Sequence, residues 1–469
     1  MSQNYTKVDA IAASNGTVDS ASTTKNTGSW TNVPATPINR AIIVGAGPSG
    51  LVLGILLARA GISVTLLEAS HKLDENPRAA HYAPSACYDL NRAGVLDDIA
   101  ERGFFPDSVC WRKPDGTYVG GIKNEGVKVD YPMVCLPLDK LDRLLLEHFE
   151  RYDNTEILFE HKVTAIKQDD QQASVEVELK DGTRVWKSAD YVIGADGANS
   201  QIRRSLFGDL NYPGETLQKQ IIATNVKYDF KKFGYWDSNF IIDPEDWYMA
   251  AKITKDGLWR VTYGDDWGLS NEEYMARQPM RFEKILPGNP KPGDYELVSA
   301  SPYKLHQRCS PSMREGRFLL VADAAHLCNP FGGLGLTGGF ADVGSLFDAL
   351  NAIHTGRVKD TSILDEYSRL RIKKWQEVIN PMSRKNFGLI WDPNMEKDRE
   401  EFFAFTKSME SNVELAEKMA HSTHGLRENL EAFISQASLG PLPQTGQDAT
   451  TAPPKSVGAF NIMVEQKVA

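Results

Sequence analysis

The apolar positions of this chain change texture along its length. From Ala41 the run AIIVGAGPSGLVLGILLARA is almost continuous, nearly the length that crosses a bilayer. It nevertheless divides into a β-branched stretch at 41–44, a glycine turn, and a helical stretch at 49–60. Gly61 stops that helix, and SVTLL at 63–67 reads as a second strand closed by Glu68. The pattern predicts a βαβ unit and no membrane span. From Tyr212 to Ser310 the texture is different. QKQIIATNVKYDF, NFIIDPEDWYMAAKI and GLWRVTYGDD are short or alternating runs rich in aromatic and β-branched residues, which predicts an antiparallel sheet. Beyond Leu364, apolar residues recur at i, i+3 and i+4, predicting helices.

The ends carry no such pattern. Residues 1–37 are rich in Ser, Thr, Asn and Ala without an apolar core, and 440–469 read alike, so both are expected to be disordered tails rather than a secretory signal. The expected organisation is a tail at 1–38, a first domain at 39–211, a sheet domain at 212–310, a return to the first domain at 311–360, helices at 361–437, and a tail at 438–469.

Composition narrows the class of function. Of 469 residues, 41% are hydrophobic and 24% charged, as in ordinary soluble globular proteins. The net charge of −10 and the lack of basic blocks exclude nucleic acid as a main partner. Cys87, Cys110, Cys135, Cys309 and Cys328 show neither CxxC nor Cys/His spacing, so no metal site is expected. They read as reduced thiols of a cytoplasmic protein.

The βαβ unit carries Gly45, Gly47 and Gly50 in G-x-G-x-x-G spacing, with Glu68 about twenty residues on. Gly45 allows the tight turn, Gly47 lets a pyrophosphate reach backbone, and Gly50 lets helix and strand pack closely. Ala46, Pro48 and Ser49 complete this turn, whose helix N-terminus faces phosphate; Glu68, followed by Ala69, is expected on a ribose hydroxyl. Two further segments follow: ADYVIGADGANSQIRRSL, with Asp196 and Arg203, and FLLVADAAHLCNPFGGLGLTGG, with Asp323 and five glycines between Gly332 and Gly339.

With these three segments in order, the chain resembles the single-component FAD-dependent aromatic hydroxylases of the para-hydroxybenzoate hydroxylase kind. In look it is closest to fungal enzymes acting on natural products. The resemblance implies an α/β fold: a Rossmann-type FAD domain of the glutathione reductase kind, an inserted antiparallel sheet over the substrate, and C-terminal helices. It places Asp323 on the ribityl chain of non-covalent FAD. It places Pro330, Gly333, Leu334 and Gly335 around the flavin C4a and N1/O2 positions. Ala322 stands where the family has glycine. Arg143 and Arg78 are expected near the cofactor, and Asp196 and Arg203 are expected to position FAD and meet a transient NADPH or NADH. In the sheet, Tyr235, Trp236, Met249 and Arg260 are expected to line the pocket. His326 reads as a satisfied histidine beside the site.

The implied reaction passes electrons from NAD(P)H to FAD and oxygen from O₂, through a C4a-hydroperoxide, to an aromatic or polycyclic small molecule. An FAD oxidase or dehydrogenase without oxygen transfer, or a non-catalytic FAD-binding sensor, stays open as an alternative. A halogenase does not fit, because its W-x-W-x-I-P motif is absent. The oligomeric state is open between monomer and dimer.

Overall fold

The computed structural model describes residues 33–76, 80–124 and 126–439. The expected tails lie almost wholly outside these, and so does Arg78. The first βαβ unit forms as the pattern predicts: strand Arg40–Val44, helix Pro48–Arg59 and strand Ser63–Leu67. Both strands join a six-stranded sheet in the order Arg314–Glu315, Phe318–Leu320, Tyr191–Gly194, Arg40–Val44, Ser63–Leu67, Thr155–Leu158. Its pairings are parallel except for the Arg314–Glu315 hairpin. Burial on both faces explains why Ala41–Val44 shows no alternation. A three-stranded antiparallel meander runs over Lys162–Gln168, Ala173–Glu178 and Arg184–Ala189.

The second large unit is an eight-stranded sheet, in the order His326–Leu327, Glu296–Cys309, Gly214–Lys227, Leu258–Asp265, Tyr248–Lys252, Ser238–Ile241, Ser108–Arg112, Tyr118–Lys123. It is wider than the segment 212–310 expected to build it. The last two strands at one end come from 108–123, and Ser238–Ile241 pairs with Ser108–Arg112 in parallel. A parallel neighbour needs no short hairpin, so its place in the sheet leaves no local mark in the sequence.

Period-2 alternation gives this sheet two apolar faces. Ile222, Val226, Tyr248, Trp259, Val261 and Tyr263 pack with Tyr274 and Phe282 of the helix Asn271–Ile285. Ile221, Trp247 and Leu305, with Phe240 and Met249, pack instead with Phe331, Phe387 and Ile390.

Between the two units runs the helix Leu334–His354, most of whose residues are buried. Asp342 lies in its middle with no exposed surface. One carboxylate oxygen accepts from Arg371 Nε at 2.6 Å; the other accepts from the backbone N–H of Ala322 at 2.9 Å and lies 2.8 Å from His326 Nε2. Arg371, also fully buried, donates onward to the carbonyls of Leu426 and Gly338. Burial alone would raise the Asp342 carboxyl, but His326 and Arg371 hold it below the ordinary aspartate value. Ala322 itself sits at φ +53°, in the left-handed region disfavoured for residues with a Cβ. Its methyl fits because Gly339 leaves room: a Cβ built there would stand 2.8 Å from that of Ala322.

Two outcomes follow. Asp342→Asn leaves the Arg371 charge buried without its partner, and urea unfolding at pH 7 is expected to show a loss of about 3–5 kcal/mol. The carboxylate's contribution is fully present above about pH 4, the ordinary aspartate value, and is lost as pH falls through its lower folded-state value. The variant should therefore lose less stability than the parent below pH 4. Gly339→Ala, usually favourable inside a helix, should here destabilise by about 1–3 kcal/mol through overpacking. In the Ala322→Gly background the same change should become neutral or stabilising by up to about 1 kcal/mol.

Candidate functional site

The glycine turn is built by contacts that leave one side open. Gly45 has φ +108°, and a Cβ there would stand 2.4 Å from the carbonyl oxygen of Ala195; one on Gly50 would meet the Gly45 carbonyl at 2.2 Å. Those two glycines serve the turn and the strand–helix packing. At Gly47 a Cβ would meet nothing within 4 Å among the described residues. The residue's φ of −74° and ψ of 175° suit any amino acid, so the backbone does not require glycine here. The helix that begins at Pro48 has no side-chain cap and no acidic residue in its first turn. Its positive end faces that open space.

Glu68 is fixed at the end of its strand, accepting from the backbone N–H of Ala46 at 3.0 Å and of Ser70 at 2.8 Å. One lone pair of each oxygen is thus engaged, which orients the carboxylate and leaves acceptor capacity for hydroxyls. Ala69 beside it is exposed. Ser49 is buried, and its Oγ would lie 3.5 Å from a Cβ on Gly339, so the two long helices meet within a few residues of their starts.

The second helix start is built alike. Gly333, at φ +66°, is the residue before Leu334, and the helix again has neither side-chain cap nor acidic first turn. A Cβ on Gly333 would meet nothing within 4 Å. Pro330 and Gly333 are exposed, Leu334 is buried, and Gly335 is half-buried. Asp323 stands exposed on the short turn Ala322–Ala324, whose geometry the Ala322–Asp342 bond fixes.

Three further expected residues have protein partners. Arg203 is 5% exposed; Nη1 donates to the Ala324 carbonyl, Nη2 to the Ala198 carbonyl, and its guanidinium lies 3.7 Å over the Tyr212 ring. It clamps the helix Gln201–Phe207 to the Asp323 turn, and such burial does not suit contact with a visiting nucleotide. Asp196 accepts from the N–H groups of Gln201 and Ile202 at the start of that helix. Its other oxygen is buried without a hydrogen-bond partner among the described residues, and burial raises its carboxyl. Arg143 is 60% exposed and pairs with Glu75 at 3.2 Å.

In the sheet, Tyr235 is a correction. It is 4% exposed, its hydroxyl lies 2.6 Å from that of Tyr248, and it packs in the core beneath the helix Asn271–Ile285, on the face turned away from the Pro330 turn. Trp236 lies toward the outer edge, against Gly121 and 5.4 Å from the Tyr118 ring. Met249 lies on the opposite face, with the cluster that contains Phe331. Arg260 alternates with Trp259 and Val261, so it shares that face, donating to Asn225 Oδ1 and to the Tyr303 hydroxyl. Alternation along a strand says which residues share a face but not which face meets the flavin turn.

The reading of the sequence missed the supports of the turn. Phe331 stacks on Phe387 at 4.7 Å, and Gly332 lies against the Asn386 amide. Gln307, Asn329 and Ser383, all buried, form a hydrogen-bonded chain behind it. Asp342 and Arg371 were missed as well. Asp342, set among small and apolar residues in GGFADVGSLFDAL, was a signal that could have been read, because a charge in a buried helix needs a partner.

Residues 39–381 match the FAD binding domain family. The chain is 38% identical over 349 residues, 74% of its length and 86% of the relative's, to para-nitrophenol 4-monooxygenase of Pseudomonas sp. (strain WBC-3). It is 34% identical over 389 residues, 80% of this chain and 95% of the relative, to 6-hydroxy-3-succinoylpyridine 3-monooxygenase HspB of Pseudomonas putida (strain DSM 28022 / S16). The crystal structure of p-nitrophenol 4-monooxygenase PnpA from Pseudomonas putida DLL-E4 superposes with a TM-score of 0.77 at 34% identity, covering 84% of this chain and 99% of that one. Aklavinone-11 hydroxylase with FAD and aklavinone shares the fold, at a TM-score of 0.66, 22% identity, and 76% and 70% coverage. The glycine turn, the two uncapped helix starts and the sheet above them thus have relatives of one kind, and the chain belongs to the family of single-component, FAD-dependent aromatic monooxygenases.

Proposed function

We propose that this protein hydroxylates a small aromatic molecule already bearing a ring hydroxyl, using NADPH or NADH as electron donor and O₂ as oxygen source. The observation that carries the reading is the pair of bare helix starts. Gly47 and Gly333 each face space that a side chain would enter without meeting protein, and both stand at uncapped N-termini of helices that touch at Ser49 and Gly339. That arrangement fits a dinucleotide linked to a flat ring: phosphate at one positive end, an electron-rich ring edge at the other. Bound FAD supplies the redox chemistry, taking hydride from the nicotinamide and activating oxygen for transfer.

The chain's own residues bind, orient and shield. Gly45 to Gly50, with Ala46, Pro48 and Ser49, would hold the pyrophosphate, Glu68 a ribose, and Asp323 the ribityl hydroxyls. Pro330 to Gly335 would pass the ring, with helix N–H groups stabilising negative charge there without reorganisation. Arg143 and Arg78 are taken to serve the cofactor as well. Above them the cluster of Met249, Phe240, Trp247 and Phe331 supplies an apolar roof that excludes water, and Arg260 a polar contact for the substrate. The similarity to para-nitrophenol 4-monooxygenase and to 6-hydroxy-3-succinoylpyridine 3-monooxygenase supports a hydroxylated single ring as substrate. None of the described helices is long and apolar enough to cross a membrane. Five cysteines without disulfides support a cytoplasmic place.

Gly47→Val should fold normally, since its backbone suits valine, yet fail to retain FAD because the side chain takes the phosphate's place; thermal melting and flavin absorbance separate the two effects. Asp323→Ala should weaken FAD binding by roughly 1.5–3 kcal/mol, the range for a lost hydrogen bond to a charged group. A colourless wild-type protein that takes up no added FAD would sink the reading.

Turnover under ¹⁸O₂ with a panel of phenols separates hydroxylase from oxidase. Labelled product is expected from the wild-type enzyme, whereas stoichiometric peroxide and unlabelled product would make it an oxidase. Gly333→Ala, at a left-handed strain of about 1–2 kcal/mol, should keep FAD while diverting NADPH oxidation from product to hydrogen peroxide.

A further inference from the structure

The turn Asn329–Gly333 is held from behind by a one-way chain of buried hydrogen bonds. The backbone N–H of Asn329 donates to Gln307 Oε1 at 2.9 Å. Gln307 Nε2 donates to Ser383 Oγ at 2.9 Å, and Ser383 Oγ donates to the Asn380 carbonyl at 3.1 Å. The two ends fix its direction: a backbone N–H can only donate and a carbonyl can only accept, so the Gln307 amide has one orientation. Gln307 and Ser383 are 0% exposed and Asn329 is 1% exposed, so no water competes for these groups. Asn329 Oδ1 accepts from the N–H of Phe331, and the N–H of Gly333 closes onto the Pro330 carbonyl. On the other side the Phe331 ring lies nearly parallel to Phe387, at 17°, with Trp247 edge-on at 5.5 Å.

These supports come from two distant elements: Gln307 from the strand Glu296–Cys309, Ser383 and Phe387 from the helix Asn380–Trp391. Ser383 and Phe387 lie beyond residue 381, where the family match ends. A π-helical turn, Trp375–Ile379, precedes that helix and sets its rotation.

We propose that Gln307, Ser383 and Phe387 are positioning residues for oxygen transfer: they fix the height of the Pro330–Gly333 turn against the sheet above it, and so the spacing between the cofactor ring and the substrate. The inference rests on the hydroxylase reading and goes beyond it by giving the C-terminal helix a part in coupling. The residues touch neither substrate nor reacting atoms. A displaced turn leaves the phosphate and ribityl contacts intact, so cofactor affinity and NADPH oxidation persist while transfer to the ring fails. A misplacement on the order of 1 Å is enough for a large loss of rate.

The test uses the full chain with Gln307→Leu, the milder Ser383→Ala, and Tyr274→Phe as control. Tyr274 bonds the Asp266 carbonyl on the far side of the sheet. Hydrogen exchange of the FAD-free proteins should show faster exchange confined to residues 328–334 in the first two variants, with 258–265 unchanged. Loaded with FAD, they should keep cofactor affinity within about threefold while product per NADPH falls by about tenfold and peroxide rises to match. Should Gln307→Leu fail to fold, Ser383→Ala alone decides. Unchanged exchange at 328–334, or coupling no worse than in Tyr274→Phe at equal melting temperature, overturns the inference while leaving the hydroxylase standing. A wild-type enzyme that makes no oxygenated product overturns the hydroxylase reading first, and this inference with it.

Discussion

The buried carboxylate of Asp342 is the constraint on which the site depends. It engages Arg371, His326 and the backbone of Ala322 at once, with no exposed surface of its own. Through Ala322 it fixes the turn that presents Asp323; through Arg371 it reaches the carbonyls of Gly338 and Leu426 and so ties in the C-terminal helices. A buried ion pair is weak evidence for stability, because desolvation offsets attraction. Its value here is geometric. It holds one non-glycine residue in a left-handed conformation at the point where strand turns to cofactor loop.

Around this fixed point the architecture separates binding from chemistry. The parallel sheet delivers the glycine turn and Glu68 at the carboxyl ends of its strands, where doubly wound folds place their ligands. The antiparallel sheet delivers a surface. One of its faces is sealed by the helix Asn271–Ile285, and the other meets Phe331 and the C-terminal aromatic residues. The long helix from Leu334 touches both units, so its uncapped start is placed by each of them.

The same fold occurs in flavin-dependent enzymes at about a fifth sequence identity, where only the fold is shared, and in p-nitrophenol 4-monooxygenase PnpA at 34%. In this chain the site rests on a backbone requirement: two helix ends kept bare and one carboxylate presented between them. The sheet face above has no such requirement, because packing tolerates exchange of apolar side chains of similar volume.

The sequence by itself determined the local elements whose chemistry is short-range. The βαβ unit and the roles of Gly45 and Gly50 could be read because strand period and glycine spacing act within a few residues. Tertiary structure decided what depends on long-range pairing. Tyr235, on the loop before the strand Ser238–Ile241, faces the core rather than the pocket because Tyr248 and the helix Asn271–Ile285, distant in sequence, close around it. Arg203 is a clamp rather than a nucleotide contact because Ala324, 121 residues away, supplies its acceptor. Gln307, Ser383 and Phe387 carry no motif; an amide, a hydroxyl and a ring gain a task only when a strand and a helix some 76 residues apart close on the same turn. Contacts of that separation leave no period in a single sequence, since either partner alone is compatible with many other neighbours.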